Sequence, residues 1–280
     1  MKKHLLILCI GILCIGILGG CSDSEKHSVV DEVELKKEND CVVTFEDDHL
    51  ESAIRKEINK IDGDILKSDV EDITHLHLIE LEIKSIKGID NIENLSYLDL
   101  SVNYIEDIDP LSNLTNLKEL NLSHNYIDNI DALSNLTNLT YLSLLGNHIT
   151  NIDFLSNLTN LTYLNLNENR ITHIDPLSNL TNLEELGLSR NGIENIDSLS
   201  NLTNLYKLVL YSTQINNIDA LSNLTNLTYL NLTENKIENI DALSNLINLE
   251  TLYLYGNNIV DFTPVNSYYE DLECVDFDLN

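Results

Sequence analysis

A 22-residue unit that recurs without insertion or deletion constrains this chain more than any other feature of its sequence. Each copy holds two leucines one residue apart, at Leu98/Leu100, Leu120/Leu122, Leu142/Leu144, Leu164/Leu166, Leu186/Leu188, Leu208/Leu210, Leu230/Leu232 and Leu252/Leu254. A degenerate first copy lies at Leu76/Leu78. One unit is too small to bury its own apolar side chains, so neighbouring copies must stack and pair their short strands. The sequence therefore predicts an α/β solenoid of leucine-rich repeats, with short parallel strands on its concave face.

Two polar columns accompany the leucines. The first is asparagine, at Asn103, Asn125, Asn147, Asn169, Asn191, Asn235 and Asn257. We expect its amides to be buried and to hydrogen-bond the backbone of the turn after each strand, because an unpaired buried group is costly. Thr213 and Leu81 replace asparagine in two copies, so this column should be weakest there.

The second polar column is aspartate, at Asp109, Asp131, Asp153, Asp175, Asp197, Asp219 and Asp241. Asp109 and Asp175 precede prolines, a pattern typical of a helix N-cap with proline at the first helical position. We therefore predict that these aspartates cap short helical turns on the convex side. A row of calcium-binding carboxylates is the alternative, but no loop has the dense Asp/Gly spacing of a calcium site.

Residues 1–20 have the pattern of a secretory signal peptide. Lys2 and Lys3 precede an apolar run that is too short to span a bilayer of about 30 Å, and Leu18-Gly19-Gly20-Cys21 resembles the bacterial lipobox. Cleavage before Cys21 would free it to carry acyl chains such as palmitate, each stabilising membrane attachment by about 0.8 kcal/mol per CH₂. We predict an extracytoplasmic protein that is lipid-anchored to the cell membrane or envelope. An ordinary signal peptide is the alternative.

The sequence beyond the signal divides into four segments. We expect a flexible tether at 21–41, a helical N-terminal cap at 42–72, the solenoid of about nine repeats at 73–265 and a C-terminal cap at 266–280. In the N-terminal cap, Asp47 or Asp48 can start a helix whose apolar residues, including Leu50, Ile54 and Ile58, lie on one stripe. Such a helix would cover the leucines that the first repeat exposes.

Two cysteines, Cys41 and Cys274, remain outside the signal and the lipobox. Eight strand steps of about 4.8 Å would separate the two ends of the repeats by about 38 Å. A disulfide requires Cα atoms within about 7 Å of each other. An intramolecular bridge is therefore not expected, and free or intermolecular thiols remain.

The repeat unit NLTNLTYLNLNENRITHIDPLS resembles the repeat of the internalin family of bacterial surface proteins. The preceding FEDDHLESAIRKEINK, followed by DVEDITHLHLIELEIKSIKGI, is similar to that family's helical N-terminal cap and first repeat. The match spans about residues 43–265. The resemblance implies a secreted binding surface, in some members for adhesion to host proteins. No cell-wall sorting motif or further module follows the repeats here, so host-cell invasion is not among our expectations.

Aromatic residues are concentrated at the positions predicted to face the concave surface. Side chains alternate along a strand, so the residues flanking the two inward leucines point to this surface. The candidate ligand-binding residues there are Tyr97, Tyr141, Tyr163, Val209, Tyr211, Tyr229, Tyr253 and Tyr255. Tyrosine is enriched at protein interfaces because it buries apolar area and keeps a hydroxyl. Repeat duplication could also have copied the tyrosine column, but Tyr211, Tyr253 and Tyr255 depart from the repeat consensus and favour the C-terminal third.

Other chemistry has less support in the sequence. His75, His77 and Asp99 form a candidate divalent-metal trio, although a histidine pair of this kind is more often an exposed polar edge. None of the common catalytic or phosphate-binding motifs occurs, so we predict no enzymatic activity and no cofactor. The chain has 16 Lys+Arg against 46 Asp+Glu, a formal net charge of −30, which disfavours a nucleic-acid partner.

Together these features predict a monomeric, membrane-anchored surface lipoprotein. Its concave face is expected to bind a protein ligand, in adhesion or another protein–protein interaction. An envelope-structural or glycan-binding surface module without a dedicated protein ligand is the alternative.

Overall fold

The computed structural model describes residues 40–279. The predicted signal peptide, Cys21 and nearly all of the predicted tether lie outside the described residues. None of the helices between residues 40 and 279 has the length and apolar character needed to cross a membrane.

A small N-terminal subdomain covers the first repeat. Strands β1 (Val42–Val43) and β2 (Ile65–Leu66) pair antiparallel on either side of helix α1 (Asp48–Glu57), and a single turn, α2 (Lys67–Val70), follows. Asp47 is the N-cap of α1. Its side chain accepts hydrogen bonds from the backbone amides of His49 and Leu50. Leu50 and Ile54 are fully buried in the same core as the repeat leucines. The start of the predicted helical stripe is confirmed, because this face of α1 covers apolar side chains that a bare solenoid end would expose. The stripe was predicted to run to Ile61, but the helix ends at Glu57 and Ile61 is exposed.

The repeats form one ten-stranded parallel sheet in which every strand pairs with its sequence neighbours. The strands are β3 (His75–His77), β4 (Tyr97–Asp99), β5 (Glu119–Asn121), β6 (Tyr141–Ser143), β7 (Tyr163–Asn165), β8 (Glu185–Gly187), β9 (Lys207–Val209), β10 (Tyr229–Asn231), β11 (Thr251–Tyr253) and β12 (Cys274–Val275). Between β3 and β11 the register advances by 22 residues from each strand to the next. Identical repeat positions therefore lie side by side in columns. The leucine-rich repeat solenoid predicted from the sequence is confirmed.

The leucines of each strand point into a continuous apolar core, and short 3₁₀ helices close the opposite side of that core. These helices are Ile89–Asn91, Asp109–Leu111, Asp131–Asn135, Asp153–Asn157, Asp175–Asn179, Asp197–Asn201, Asp219–Leu221, Asp241–Leu243, Thr263–Val265 and Tyr269–Asp271. The side chains on either side of each inward leucine lie on the face of the sheet that turns away from the core. We call this surface the sheet face; the sequence predicts it to be the concave one.

The side chains of the buried asparagine column hydrogen-bond the backbone around the turn after each strand, as the sequence predicts. Asn125 Oδ1 accepts the Ile105 amide at 3.0 Å, and its Nδ2 donates to the carbonyls of Leu100 and Leu122 at 3.0 and 3.1 Å. Its side chain thus joins three backbone groups in two neighbouring repeats. Thr213 donates instead to Asn235 Oδ1 at 2.5 Å and gives the Ile193 amide no acceptor among the described residues. The column is interrupted there, as expected.

The prediction that the aspartate column caps the helical turns is wrong. Asp109 is itself the first residue of its 3₁₀ helix, its side chain makes no cap hydrogen bond, and Ile108 occupies the N-cap position. The acceptor lies two residues earlier, since Asp107 Oδ1 accepts the Asp109 amide at 2.9 Å. Asn129 and Asn151 do the same one and two repeats later. The turns therefore start with an Asx-turn, and the aspartates of the column remain exposed.

A second asparagine ladder runs along the outside of the solenoid. Asn138 Nδ2 donates to the Thr115 carbonyl at 2.8 Å, a reach of 23 residues to the preceding repeat. The same bond recurs at Asn94, Asn116, Asn160, Asn182, Asn204, Asn226 and Asn248. These bonds are exposed, so each contributes less than a bond of the buried column.

The thiols of Cys41 and Cys274 are both free and exposed. The intramolecular disulfide that the repeat geometry disfavours is accordingly not formed between them. Cys274 lies in strand β12, opposite Thr251 of β11.

Candidate functional site

The sheet face carries most of the residues predicted to bind a ligand. The first residue of each strand from β3 to β12 lies in one column of this face, which we call the outer column. It consists of His75, Tyr97, Glu119, Tyr141, Tyr163, Glu185, Lys207, Tyr229, Thr251 and Cys274. The four predicted tyrosines of this column are all partly exposed. Because every strand is hydrogen-bonded on both sides between β4 and β11, these side chains rise from a fixed backbone. A ligand would therefore meet a preorganised surface.

The N-terminal half of the sheet face holds two aromatic groups. Tyr141 and Tyr163 stack with ring centroids 4.3 Å apart and planes 9° apart. Tyr97 stacks on His75 at 5.9 Å and meets His77 at 4.8 Å. Both groups bury ring area while leaving part of each tyrosine accessible. Ring stacking of this kind fixes the side-chain rotamers that a partner would contact.

Burial and nearby charge raise the pKa of two of these tyrosines. Desolvation contributes most for Tyr97, followed by the charges of Asp99 and Glu119. The pKa of Tyr141 is raised further, by burial first and then by its stacked neighbour Tyr163. Both hydroxyls therefore stay protonated at neutral pH, and each has a hydrogen-bond partner in the chain, Asp99 for Tyr97 and Tyr163 for Tyr141.

The C-terminal half holds the three tyrosines that the sequence favours. Tyr255 is 67% exposed, more than any other tyrosine that the structure describes. Tyr253 lies in β11 and meets Tyr229 edge to face at 6.0 Å. Tyr211 lies beneath the guanidinium of Arg190, whose Cζ is 5.3 Å from the ring centroid. The structure thus brings Tyr229, Tyr253 and Cys274 together and leaves Tyr211 in a separate contact.

An ion pair crosses the middle of the sheet face. Lys207 Nζ lies 3.1 Å from Glu185 Oε2 and 5.9 Å from the centroid of the Tyr229 ring. The hydroxyl of Tyr206 also donates to Glu185, which raises the pKa of Tyr206 to about 12. Burial raises the pKa of Glu185, but the hydrogen bonds from Tyr206 and Lys207 outweigh it and hold that pKa below its usual value. This carboxylate is fully engaged within the chain.

A notch opens beside this ion pair because Gly187 has no side chain. The cavity has a volume of about 200 Å³, and Tyr163, Asn165, Asn167 and Val209 contribute to its lining. A Cβ added at Gly187 would lie 2.7 Å from Asn167 Nδ2, so any larger residue would displace the asparagine side chains. Val209, predicted as a ligand contact, lines this notch.

The candidate metal trio is brought together only in part. His77 of β3 lies opposite Asp99 of β4, and His75 lies opposite Tyr97. The Asp99 carboxylate already accepts the Ser101 hydroxyl at 2.6 Å and the Asn121 amide at 3.0 Å. Between residues 40 and 279, no group of three or more His, Cys, Asp and Glu side chains has a metal-binding arrangement.

Sequence reasoning missed a second aromatic row beside the sheet. Tyr104 and Tyr126 stack at 6.0 Å with planes 12° apart, and Tyr126 meets His148 at 5.8 Å. The signal was available, because these three residues share one repeat position at a spacing of 22. They lie in the loops that follow the strands and so were not among the positions predicted to face the ligand.

Comparison with known proteins gives one consistent family. The profile described as leucine-rich repeats (2 copies) matches residues 93–135, 115–157, 137–180, 181–224 and 225–267. Comparison with curated protein sequences gives no match.

Solved structures are similar over most of the chain. Internalin C2 from Listeria monocytogenes is 31% identical with a TM-score of 0.66, covering 83% of this chain and 93% of that one. The functional domain of InlJ from the same species, which includes a cysteine ladder, is 26% identical with a TM-score of 0.67 over 82% and 54% of the two chains. The plant peptide hormone receptor RGFR1 in complex with RGF2 is 26% identical with a TM-score of 0.66 over 76% and 36%.

Proposed function

Because this chain belongs to the internalin family of leucine-rich repeat proteins, we propose that it is a surface binding module whose sheet face recognises a protein ligand. A repeat solenoid of this kind acts in protein–protein interaction or adhesion. The finer assignment, to the sheet face and to particular tyrosines, is our own.

The observation that carries the proposal is the row of partly exposed tyrosines on a fixed parallel sheet. Tyrosine offers a large apolar surface with a hydroxyl and loses little conformational entropy when it is bound. Stacking, as between Tyr141 and Tyr163, restricts the rings further before any ligand arrives. The plant receptor among the similar structures is in complex with RGF2, and a protein or peptide ligand for this chain fits that precedent.

Within the sheet face, Tyr211, Tyr253 and Tyr255 are the best candidates for the main contacts. Tyr255 combines high side-chain exposure with a backbone amide that is held by Asp276 at 3.1 Å. Exposed aromatic side chains on an ordered backbone are typical of residues that dominate binding energy. The neighbouring Val209 would complete an apolar margin on the notch beside Gly187.

The test is capture of a partner from cell-envelope and host-cell extracts by the immobilised full chain. The variant carries Tyr211→Ala, Tyr253→Ala and Tyr255→Ala, and its melting temperature is compared with that of the wild type. The control carries Tyr104→Ala and Tyr126→Ala, which remove exposed tyrosines outside the strands. We expect one protein to be enriched by the wild type and the control but not by the triple variant. Equal enrichment by all three, or enrichment of glycan alone, would contradict the proposal.

We further propose that the chain is held at the outer surface of a membrane by acyl chains on Cys21. The lipobox pattern Leu18-Gly19-Gly20-Cys21 supports this placement. Cys21→Ser should release the protein from the membrane fraction, because a single unlipidated segment lacks the buried acyl chains that anchor it. Persistent membrane attachment of the Cys21→Ser chain would contradict lipid anchoring, and Cys274→Ser serves as the control.

A further inference from the structure

The aromatic column of the sheet face is interrupted by one carboxylate. Glu119 lies directly between Tyr97 and Tyr141 in the strand register. Its side chain is exposed and, within the part of the chain that the structure describes, makes neither an ion pair nor a hydrogen bond. Glu185 occupies the same column three repeats later and is fully engaged by Lys207 and Tyr206. The two glutamates thus differ in whether a cation reaches them.

The strand register places an aromatic residue on either side of Glu119. Tyr97 and Tyr141 lie two strands apart, about 9.6 Å at the usual spacing of paired strands. The outer face of Tyr141 is covered by Tyr163, and that of Tyr97 is stacked on His75. Since β5, which carries Glu119, lies on the other side of each ring's strand, we infer that the remaining faces of both rings are directed toward Glu119. A cation paired with the Glu119 carboxylate would have an aromatic ring on either side of it, and aromatic rings attract positive charge over roughly 6 Å.

The chain itself shows twice how such a cation is held. Lys207 lies between the Glu185 carboxylate, at 3.1 Å, and the ring of Tyr229, at 5.9 Å. Arg190 lies between Glu168, at 2.9 Å, and the ring of Tyr211, at 5.3 Å. In both cases the basic residue lies in the repeat between those of the carboxylate and the aromatic ring. Around Glu119 the carboxylate and the rings are present, and no basic residue between positions 40 and 279 forms an ion pair with it.

We propose that Glu119, flanked by Tyr97 and Tyr141, receives a lysine or arginine side chain of the protein ligand. This inference rests on the proposed function and adds the chemistry of the partner at one point of the sheet face. A net charge of −30 on the chain favours the approach of a basic surface. The site fixes where on the sheet face that surface docks.

The direct test uses a trilysine peptide, acetylated and amidated at its ends, titrated into the purified full chain at low salt. Glu119→Gln should weaken binding by about tenfold, because it removes the carboxylate and leaves only the rings to attract the ammonium. Tyr141→Leu should also weaken binding, by about threefold, although the charge of the chain is unchanged.

Glu185→Gln is the matched control, since it removes the same charge from the same column at a carboxylate that already has a cation. We expect its affinity for trilysine to stay within about twofold of the wild type. Equal affinities of the wild type and Glu119→Gln would overturn the inference. So would equal losses in Glu119→Gln and Glu185→Gln, which would indicate attraction by net charge alone.

Capture of the natural partner separates this inference from the proposed function. If a protein is captured through Tyr211, Tyr253 and Tyr255, Glu119→Gln should lower its affinity by about tenfold. Undiminished capture by Glu119→Gln would overturn the inference and leave the proposed function standing. Trilysine binding that depends on Glu119, together with no protein captured by the wild type, would contradict the proposed function instead.

Discussion

Asp47 joins the N-terminal helix to the first repeat through the backbone of Lys84. Its Oδ2 accepts the Lys84 amide at 2.8 Å, while its Oδ1 accepts the His49 and Leu50 amides at 2.9 and 3.1 Å. One carboxylate therefore caps α1 and also hydrogen-bonds that helix to the backbone of a residue 37 positions later. The N-terminal subdomain is thereby fastened to the end of the solenoid that it covers.

Asp47→Ala should destabilise the protein by about 2 kcal/mol, the upper range for loss of an N-cap. Burial raises the pKa of Asp47, but the amides of Lys84, Leu50, Ser85 and His49 outweigh it and lower that pKa below its usual value. Because the folded pKa is the lower one, the ionised carboxylate stabilises the fold above about pH 4. That stabilisation is lost as the pH falls through the folded pKa.

Urea unfolding at several pH values measures both effects. The difference between wild type and Asp47→Ala should be largest at neutral pH and shrink in acid. Asp48→Ala, at the exposed neighbouring position, is the control. A difference that grows on acidification would contradict the assigned role of Asp47.

The two asparagine ladders should differ in their contribution to stability. Asn147 is buried, accepts the Ile127 amide at 3.1 Å and donates to Leu122 at 3.0 Å and Leu144 at 3.1 Å. Asn147→Ala leaves these groups unpaired and should cost about 2–3 kcal/mol. Asn138→Ala removes one exposed bond to Thr115 and should cost less than about 1 kcal/mol. Denaturant unfolding compares the two, and equal costs would contradict the distinction.

The gap in the buried column at Thr213 offers the reverse experiment. Thr213→Asn places an amide oxygen where it can accept a hydrogen bond from the Ile193 N–H. Asn191 Oδ1 accepts the equivalent bond from the Ile171 N–H at 2.9 Å. We expect a gain of about 1 kcal/mol, the usual net contribution of one hydrogen bond. The readout is the melting temperature, with Thr203→Asn on the exposed side as the control. A lower melting temperature for Thr213→Asn alone would show that the bond from Thr213 to Asn235 is the better arrangement.

Asp276 replaces the missing next repeat at the C-terminal end of the sheet. Its carboxylate accepts the amides of Leu254 at 2.6 Å and Tyr255 at 3.1 Å. In earlier repeats the amide at the Leu254 position bonds to a carbonyl of the following strand, as that of Leu232 does to Tyr253. Asp276→Ala should open these amides to solvent. Hydrogen exchange should show faster exchange at Leu254 and Tyr255 and unchanged exchange at Leu122. Protection that is retained at Leu254 would contradict the capping role.

A left-handed backbone position recurs once in each repeat. Val102 adopts φ 58°, whereas Gly146, two repeats later, adopts φ 67°. A β-branched residue is strained in this conformation, so Val102→Gly should stabilise the protein by about 1 kcal/mol. Gly146→Val should destabilise it, because an added Cβ would also lie 2.6 Å from His124 Nδ1. Calorimetric unfolding measures both variants, and a loss of stability in Val102→Gly would contradict the strain.

The repeat pattern alone predicts the solenoid, the strand positions and the leucine and isoleucine residues of its core. The period of 22 alone aligns Leu98 with Leu120, and two leucines one residue apart can share a buried face only in a strand. The column that includes Asn125 follows from the same period. For this reason the face that carries Tyr97 and Tyr141 was also predictable.

Which polar and aromatic side chains contact each other depends on the folded backbone and could not be read from the repeat pattern. Asp107 and Asp109 are both short acids before a turn, and only the folded backbone selects Asp107 as the acceptor. Likewise, Lys207 pairs with Glu185, whereas no basic residue of the described part of the chain pairs with Glu119, although both glutamates occupy one repeat position. Burial restricts the leucines to one orientation that the pattern already encodes. Exposed side chains have several rotamers of similar energy, and their neighbours in space select among them.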